Sequence, residues 1–130
     1  MPASLAFTCG DPAGIGPEVI ASWLASHPEE AAGVTVLGPA GWLDSLPTAA
    51  RKLPVGLEGF AAVPGRPSGE GALVAWAALE RAAAGARSGE FSGVVTAPVS
   101  KAELAAIGWP YPGHTEFFAA RWGGEPTMAF

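Results

Sequence analysis

Short apolar runs, each stopped by a glycine or proline turn and followed by apolar residues at helical spacing, recur along this chain. That alternation constrains its fold more than any other feature. Leu5-Ala-Phe-Thr8 halts at Cys-Gly-Asp-Pro, the pattern of a buried strand ending in a turn. Beyond it Gly16 suits an N-cap, Pro17 the first helical position and Glu18 the positive end of the dipole. Val19, Ile20, Trp23 and Leu24 share one face of a helix that stops before Pro28. Val34-Thr-Val-Leu37 reads as a second buried strand closed by Gly38-Pro39, and Gly41–Leu46 as a short helix. Leu53 to Gly69 is rich in proline and glycine, with Val55–Phe60 as a candidate edge strand. From Glu70 to Ala84, Leu73, Trp76, Leu79 or Glu80, and Ala83 recur at helical spacing among alanines, and Gly85 weakens the end of that helix. Gly93-Val-Val-Thr96 is a third strand, and Ser100-Lys-Ala-Glu103 is a capping box. Gly108–Gly113 is a loop, Thr115–Arg121 a short helix, and Thr127–Phe130 the opening of a further strand. The expected fold is α/β, a largely parallel sheet covered by helices, in one unit over residues 1–130.

Composition removes several function classes. With 49% hydrophobic and 15% charged residues the chain is too apolar to be disordered, and its 18 glycines and 13 prolines follow no triplet period, which excludes collagen. Seven Lys and Arg against twelve Asp and Glu give a net charge of −5 with no basic cluster, which argues against nucleic acid and anionic membranes as partners. A single cysteine, Cys9, forbids an intramolecular disulfide and a cysteine-based zinc site. The start lacks a basic signal-peptide region, and the apolar run at Leu73–Leu79 is too short to span a bilayer, so the expectation is a soluble cytoplasmic protein.

Ligands of parallel sheets sit beyond the carboxyl ends of the strands, and three segments fall there. Thr8 to Glu18 carries glycines at 10, 14 and 16, which let backbone approach a ligand and aim a helix start at an anion; the same residues also serve a tight turn with no ligand. It is neither a P-loop nor a complete dinucleotide fingerprint. In Thr96-Ala-Pro-Val-Ser-Lys101 a lysine occupies a helical first turn, where the dipole disfavours a cation. It either reaches an anion over the strand edge or is a solvated surface lysine. In Gly113-His-Thr-Glu116 an imidazole and a hydroxyl open a short helix. They either form an anion site or reduce to Thr115 capping the helix and His114 packing on Trp109 and Tyr111. His27, Cys9 and Asp11 are read as structural, and no paired carboxylates stand out.

Gly10-Asp-Pro-Ala-Gly-Ile-Gly-Pro17, Thr96-Ala-Pro-Val-Ser-Lys101 and Tyr111-Pro-Gly-His-Thr-Glu116, in this order and spacing, resemble the three amino-terminal signatures of the 4-hydroxythreonine-4-phosphate dehydrogenase family of pyridoxine biosynthesis. The glycine-rich start is also similar to that of the wider isocitrate and isopropylmalate dehydrogenase group. The resemblance implies that group's α/β fold, a homodimer, and NAD-dependent oxidation of a phosphorylated hydroxy amino acid, with NADP as the other nicotinamide to consider. It further implies a divalent metal such as Zn, Mg or Co, and a β-keto acid product that loses carbon dioxide to give 3-amino-2-oxopropyl phosphate. Carried over by position, His114, Thr115 and Lys101 fall to the substrate, and Gly14, Ile15 and Gly16 to the cofactor.

The resemblance runs through essentially the whole chain but covers only about the first two-fifths of a typical family member. The three metal-binding histidines of the family lie beyond that part, and neither His27 nor His114 matches them. The expectation is therefore an incomplete, amino-terminal α/β unit that is inactive alone, because a metal polarising the hydroxyl supplies much of such catalysis. A sheet cut there leaves an open edge that promotes association. Two alternatives remain at this point: a relative acting on threonate or erythronate 4-phosphate, and a non-catalytic module that kept the anion loops.

Overall fold

Central strands of a parallel sheet are buried on both faces, and the two most continuously apolar runs take those places. The computed structural model describes residues 4–129. Strands β1 (Leu5–Thr8) and β2 (Val34–Gly38) pair in parallel at the middle of a four-stranded sheet, with Phe7 opposite Val36. Strand β3 (Arg51–Pro54) lies outside β2, and β4 (Gly93–Thr96) flanks β1 on its other side, giving the order β3-β2-β1-β4 with every pairing parallel.

The edge strand comes earlier than Val55–Phe60. Arg51 and Lys52 mask it in the sequence, because edges tolerate charge that central strands do not. Lys52 donates to the Leu46 carbonyl at 2.7 Å and Arg51 pairs with Glu90 at 2.9 Å. The ladder's last contact is Val55 N–H to the Gly38 carbonyl, after which the chain turns at Gly56.

Helices cover both faces. Helix α1 (Gly16–Ser26) and the short α2 (Ala40–Asp44) close one face, where Phe7, Val34 and Val36 meet Ile20, Leu24 and Leu43. Val19, expected on the buried stripe, is 55% exposed instead, because the contact is narrower than the apolar face and Ile20 and Leu24 fill it. Helix α3 (Gly69–Ser88) lies on the other face, where Ala6, Cys9 and Leu37 pack on Val74, Ala78 and Ala82.

Helix α3 has a second buried side, formed by Leu79 and Ala83 against Leu104, Trp109 and Phe117 of the outer segment. Being covered from two directions explains its many alanines, since small side chains admit close neighbours on both sides. Leu73, counted on its apolar face, is exposed. The helix also runs through Gly85, where a β-carbon would lie 2.3 Å from the Phe91 ring, and stops at Gly89 with φ +88°. A glycine that looks like a weak point is thus the notch that receives Phe91.

Outside α3 lie α4 (Lys101–Ala106), capped by Ser100 Oγ accepting from Glu103 N–H at 3.3 Å, and α5 (His114–Trp122). Residues 125–129 form no strand. They are exposed and run beside α5, with Thr115 Oγ1 3.7 Å from Met128 Sδ, rather than along β4; Phe130 lies outside the described residues. Among the described residues the outer edge of β4 has no strand partner and Val95 is 49% exposed. Among the described residues no helix is long and apolar enough to cross a membrane.

Candidate functional site

The strand order reverses beside β1. The chain moves outward through β2 and β3, and α3 then carries it back to β4 on the opposite side. In open α/β sheets the crevice at such a switch, beyond the carboxyl ends of the strands, is where ligands bind. The loops after β1 and β4 meet there, with Asp11 N–H donating to the Pro98 carbonyl at 2.9 Å. Gly10 has φ +67°, and a β-carbon on it would lie 2.3 Å from that carbonyl oxygen. At Gly16 a β-carbon would lie 2.3 Å from the Cys9 carbonyl oxygen and 2.7 Å from Ala97 Cβ. These two glycines serve the packing of the chain on itself.

Asp11 and Cys9 take the structural roles their surroundings suggest. Asp11 Oδ1 accepts from Ala13 N–H at 2.9 Å, an Asx turn, and burial pushes the Cys9 thiol up to about 12, far from a reactive thiolate. His27 stacks on Trp23 with ring centroids 4.5 Å apart, and its Nδ1 bonds the Trp23 carbonyl at 2.9 Å.

The third segment abuts the second. Lys101, exposed in the first turn of α4, has its Nζ 3.9 Å from where a β-carbon on Gly113 would stand, and His114 opens α5 immediately afterwards. Burial, with Lys101's charge as a second cause, holds the His114 imidazole below its ordinary pKa. Its buried Nε2 has no hydrogen-bond partner among the described residues. A neutral imidazole, an ammonium and a helix start therefore meet at one corner, with Glu116 Oε2 3.7 Å from where a β-carbon on Gly113 would stand; the lysine and the helix start favour an anion there and the carboxylate opposes it.

The plainer reading of Thr115 as the helix cap does not hold. Gly113, not Thr115, occupies the N-cap, and Thr115 Oγ1 points to Met128. Trp109 and Tyr111 pack on Phe117, with centroids 6.0 and 5.5 Å from its ring.

The structure thus places Lys101 beside the start of α5 and His114, while Thr115 turns its hydroxyl to Met128, and it brings Gly16 beside Ala97 of the neighbouring loop. Gly14 is exposed on the far side of the β1 loop. There, with Pro12, Pro17, Glu18, Trp42 and Phe60, it lines a mainly apolar cleft of about 400 Å³ over β1 and β2; Ile15 is 58% exposed nearby. Sequence reasoning passed over Trp42 and Phe60, which sit in segments without periodicity. It also passed over the ion pair of Arg121 with Glu80 that ties α5 to α3, although an acidic residue on the Trp76–Ala83 face was a signal. Among the described residues no three His, Cys, Asp or Glu side chains gather as a metal site requires.

Fold and loops together define a parallel α/β protein with its candidate ligand loops at the switch point of the sheet. The profile of the family described as pyridoxal phosphate biosynthetic protein PdxA matches residues 17–130. A 4-hydroxythreonine-4-phosphate dehydrogenase of Zymomonas mobilis is 39% identical over 92% of this chain and 41% of its own length. The crystal structure of a 4-hydroxythreonine-4-phosphate dehydrogenase from Burkholderia phymatum superposes with a TM-score of 0.83 at 27% identity, over 97% of this chain and 45% of that one. A terephthalate 1,2-cis-dihydrodiol dehydrogenase from Burkholderia xenovorans also shares the fold, with a TM-score of 0.73 at 26% identity over 93% of this chain and 41% of that one. The chain belongs to the PdxA family. It spans about two-fifths of the length of the curated relatives it matches.

Proposed function

We propose that this chain is the substrate-gripping, amino-terminal part of an NAD-dependent, divalent-metal-assisted dehydrogenase. The substrate is 4-phosphohydroxy-L-threonine, and the product after decarboxylation is 3-amino-2-oxopropyl phosphate, on the route to pyridoxal phosphate. The observation that supports the reading is Lys101 beside the start of α5, where His114 stands with an unpartnered Nε2 among the described residues, in a chain of this family. Lys101 supplies charge to the phosphate, His114 an N–H donor from a neutral ring, and Thr115 a hydroxyl, with the first turn of α5 adding backbone N–H groups. Lys101 and His114 bind and orient; neither is assigned a proton transfer.

On the cofactor side, Gly14 and Ile15 are exposed at the start of α1 beside the apolar cleft, which suits a flat ring system, whereas Gly16 is closed off by Cys9 and Ala97 and shapes the turn only. When bound, the nicotinamide accepts hydride from the substrate carbinol. The described residues do not fit a metal site, and the ligands of a metal are assigned to sequence outside them. The working enzyme is read as a cytoplasmic homodimer, and the 130 residues alone as inactive.

Calorimetry with 4-phosphohydroxy-L-threonine tests the corner. Binding is expected, and His114→Ala should weaken it about tenfold or more while circular dichroism stays unchanged. Binding indifferent to that substitution would overturn the assignment. Metal-dependent reduction of NAD by the isolated chain would overturn the inactivity. A second reading is a binding module without chemistry, which predicts the same affinity but no turnover even when a carboxyl-terminal segment of a longer relative is added.

A further inference from the structure

Helix α5 must hold His114 and Thr115 at the sheet edge, yet its N-cap Gly113 has no side chain with which to fix that end. Its firm contacts lie further along. Phe117 is fully buried, Trp122 Nε1 donates to the Ala83 carbonyl at 3.1 Å, and Arg121 makes the densest set of contacts. Arg121 Nε and Nη2 donate to the two Glu80 carboxylate oxygens at 2.5 and 2.7 Å, and Nη1 donates to Tyr111 Oη at 3.1 Å. Its guanidinium also lies 5.1 Å from the centroid of the Phe117 ring. Glu80 in turn accepts from Trp76 Nε1 at 3.3 Å, so the whole assembly is rooted in α3.

Tyr111 precedes the corner and Arg121 follows it, so one guanidinium grips both flanks of Gly113–Thr115. We propose that Arg121 is a positioning residue that sets the place of His114 and Thr115 against Lys101. The phosphate part of the proposal rests on the functional reading above; the placement of His114 does not. More than a third of each side chain in the pair is exposed, so the pair adds little to global stability, whereas a planar fork with three fixed bonds dictates direction.

The test follows the His114 ring proton by NMR in the whole chain, assigned with His114→Gln, alongside inorganic phosphate binding at pH 8, where the imidazole is neutral in every variant. The charged groups at this helix start are Lys101 from α4, which acts on His114, and Glu116 on α5 itself, whose Oε2 lies 3.7 Å from where a β-carbon on Gly113 would stand. In Arg121→Met the corner loosens and His114 gains water, so its titration should move upward and phosphate affinity fall about tenfold. Arg121→Lys, which keeps charge but not the fork, should recover only part of both. Arg81→Met removes the Arg81–Glu90 pair, made by the residue next to Glu80 on α3 but directed at Glu90 rather than at α5, and should change neither. Should Arg121→Met fail to fold, Tyr111→Phe removes one bond of the network and should move both readouts the same way by a smaller amount. An unmoved His114 titration in folded Arg121→Met or Tyr111→Phe overturns the proposal. A wild-type chain that ignores phosphate, with His114 still shifted by Arg121→Met, overturns the functional reading and leaves the positioning role standing.

Discussion

The glycine-rich loop after β1 and the corner of Lys101 with His114 face the same edge of the sheet, but their residues are committed in opposite directions. In the loop, Gly10 and Gly16 are pressed against the Pro98 and Cys9 carbonyls, and Asp11 is taken up by its own turn. In the corner, an ammonium lies beside an imidazole nitrogen that no described residue satisfies. A signature that looks like a ligand cradle is largely joinery, whereas the corner, where Lys101 breaks a local rule, keeps its polar groups open for a partner.

The largest effect should come from breaking the joinery. In Gly16→Ala the added methyl meets backbone that cannot yield, and the expected loss is about 3 kcal/mol or more, read from urea unfolding. Gly14→Ala is the control: its β-carbon would stand 3.4 Å from the Asp11 carbonyl oxygen in an exposed position, so stability should change by no more than about 0.5 kcal/mol. Equal effects from the two substitutions would remove the distinction between a packed loop and an open corner.

Breaking the corner should do the reverse. Lys101 is exposed and makes no ion pair among the described residues, so Lys101→Met should leave stability within about 0.5 kcal/mol. Loss of the charge should nonetheless weaken a phosphorylated ligand about tenfold. Calorimetry and unfolding of the same sample would show whether binding and stability separate here as they should.

Much of this was legible in the sequence, for identifiable reasons. β1, β2 and β4 are apolar runs with sharp ends, and the register of a parallel sheet follows once they are recognised. Lys101 was visible because it departs from what a helix start prefers, and His114 because an imidazole and a hydroxyl stand side by side where a short helix opens. Arg51 and Lys52 hid β3, since charge on an edge strand looks like a loop. Gly85 hid the last turn of α3, because its reason is Phe91, six residues on. The grip of Arg121 on Glu80 was invisible for a stronger reason: it joins residues 41 apart on two helices, and no local pattern encodes which helix faces rest together.

The smallest effect is the sharpest check on the open corner. Burial and then Lys101's charge hold His114's pKa in the folded chain below the ordinary value of 6.5. Above that value the imidazole is neutral both folded and unfolded, and it makes no contribution to pH dependence. As pH falls below 6.5 the unfolded chain takes up the proton first, so this group lowers stability until the folded form is protonated as well. His114→Gln should therefore lose less stability than the wild type between pH 7.5 and 5.5, with the difference in urea midpoints isolating His114 from the titrating carboxylates. Lys101→Met should lie between the two, because removing the like charge lifts the imidazole part of the way and leaves the burial in place. Parallel midpoints for all three would mean that the ring is solvated, and that the corner is neither tight nor dry enough to select an anion.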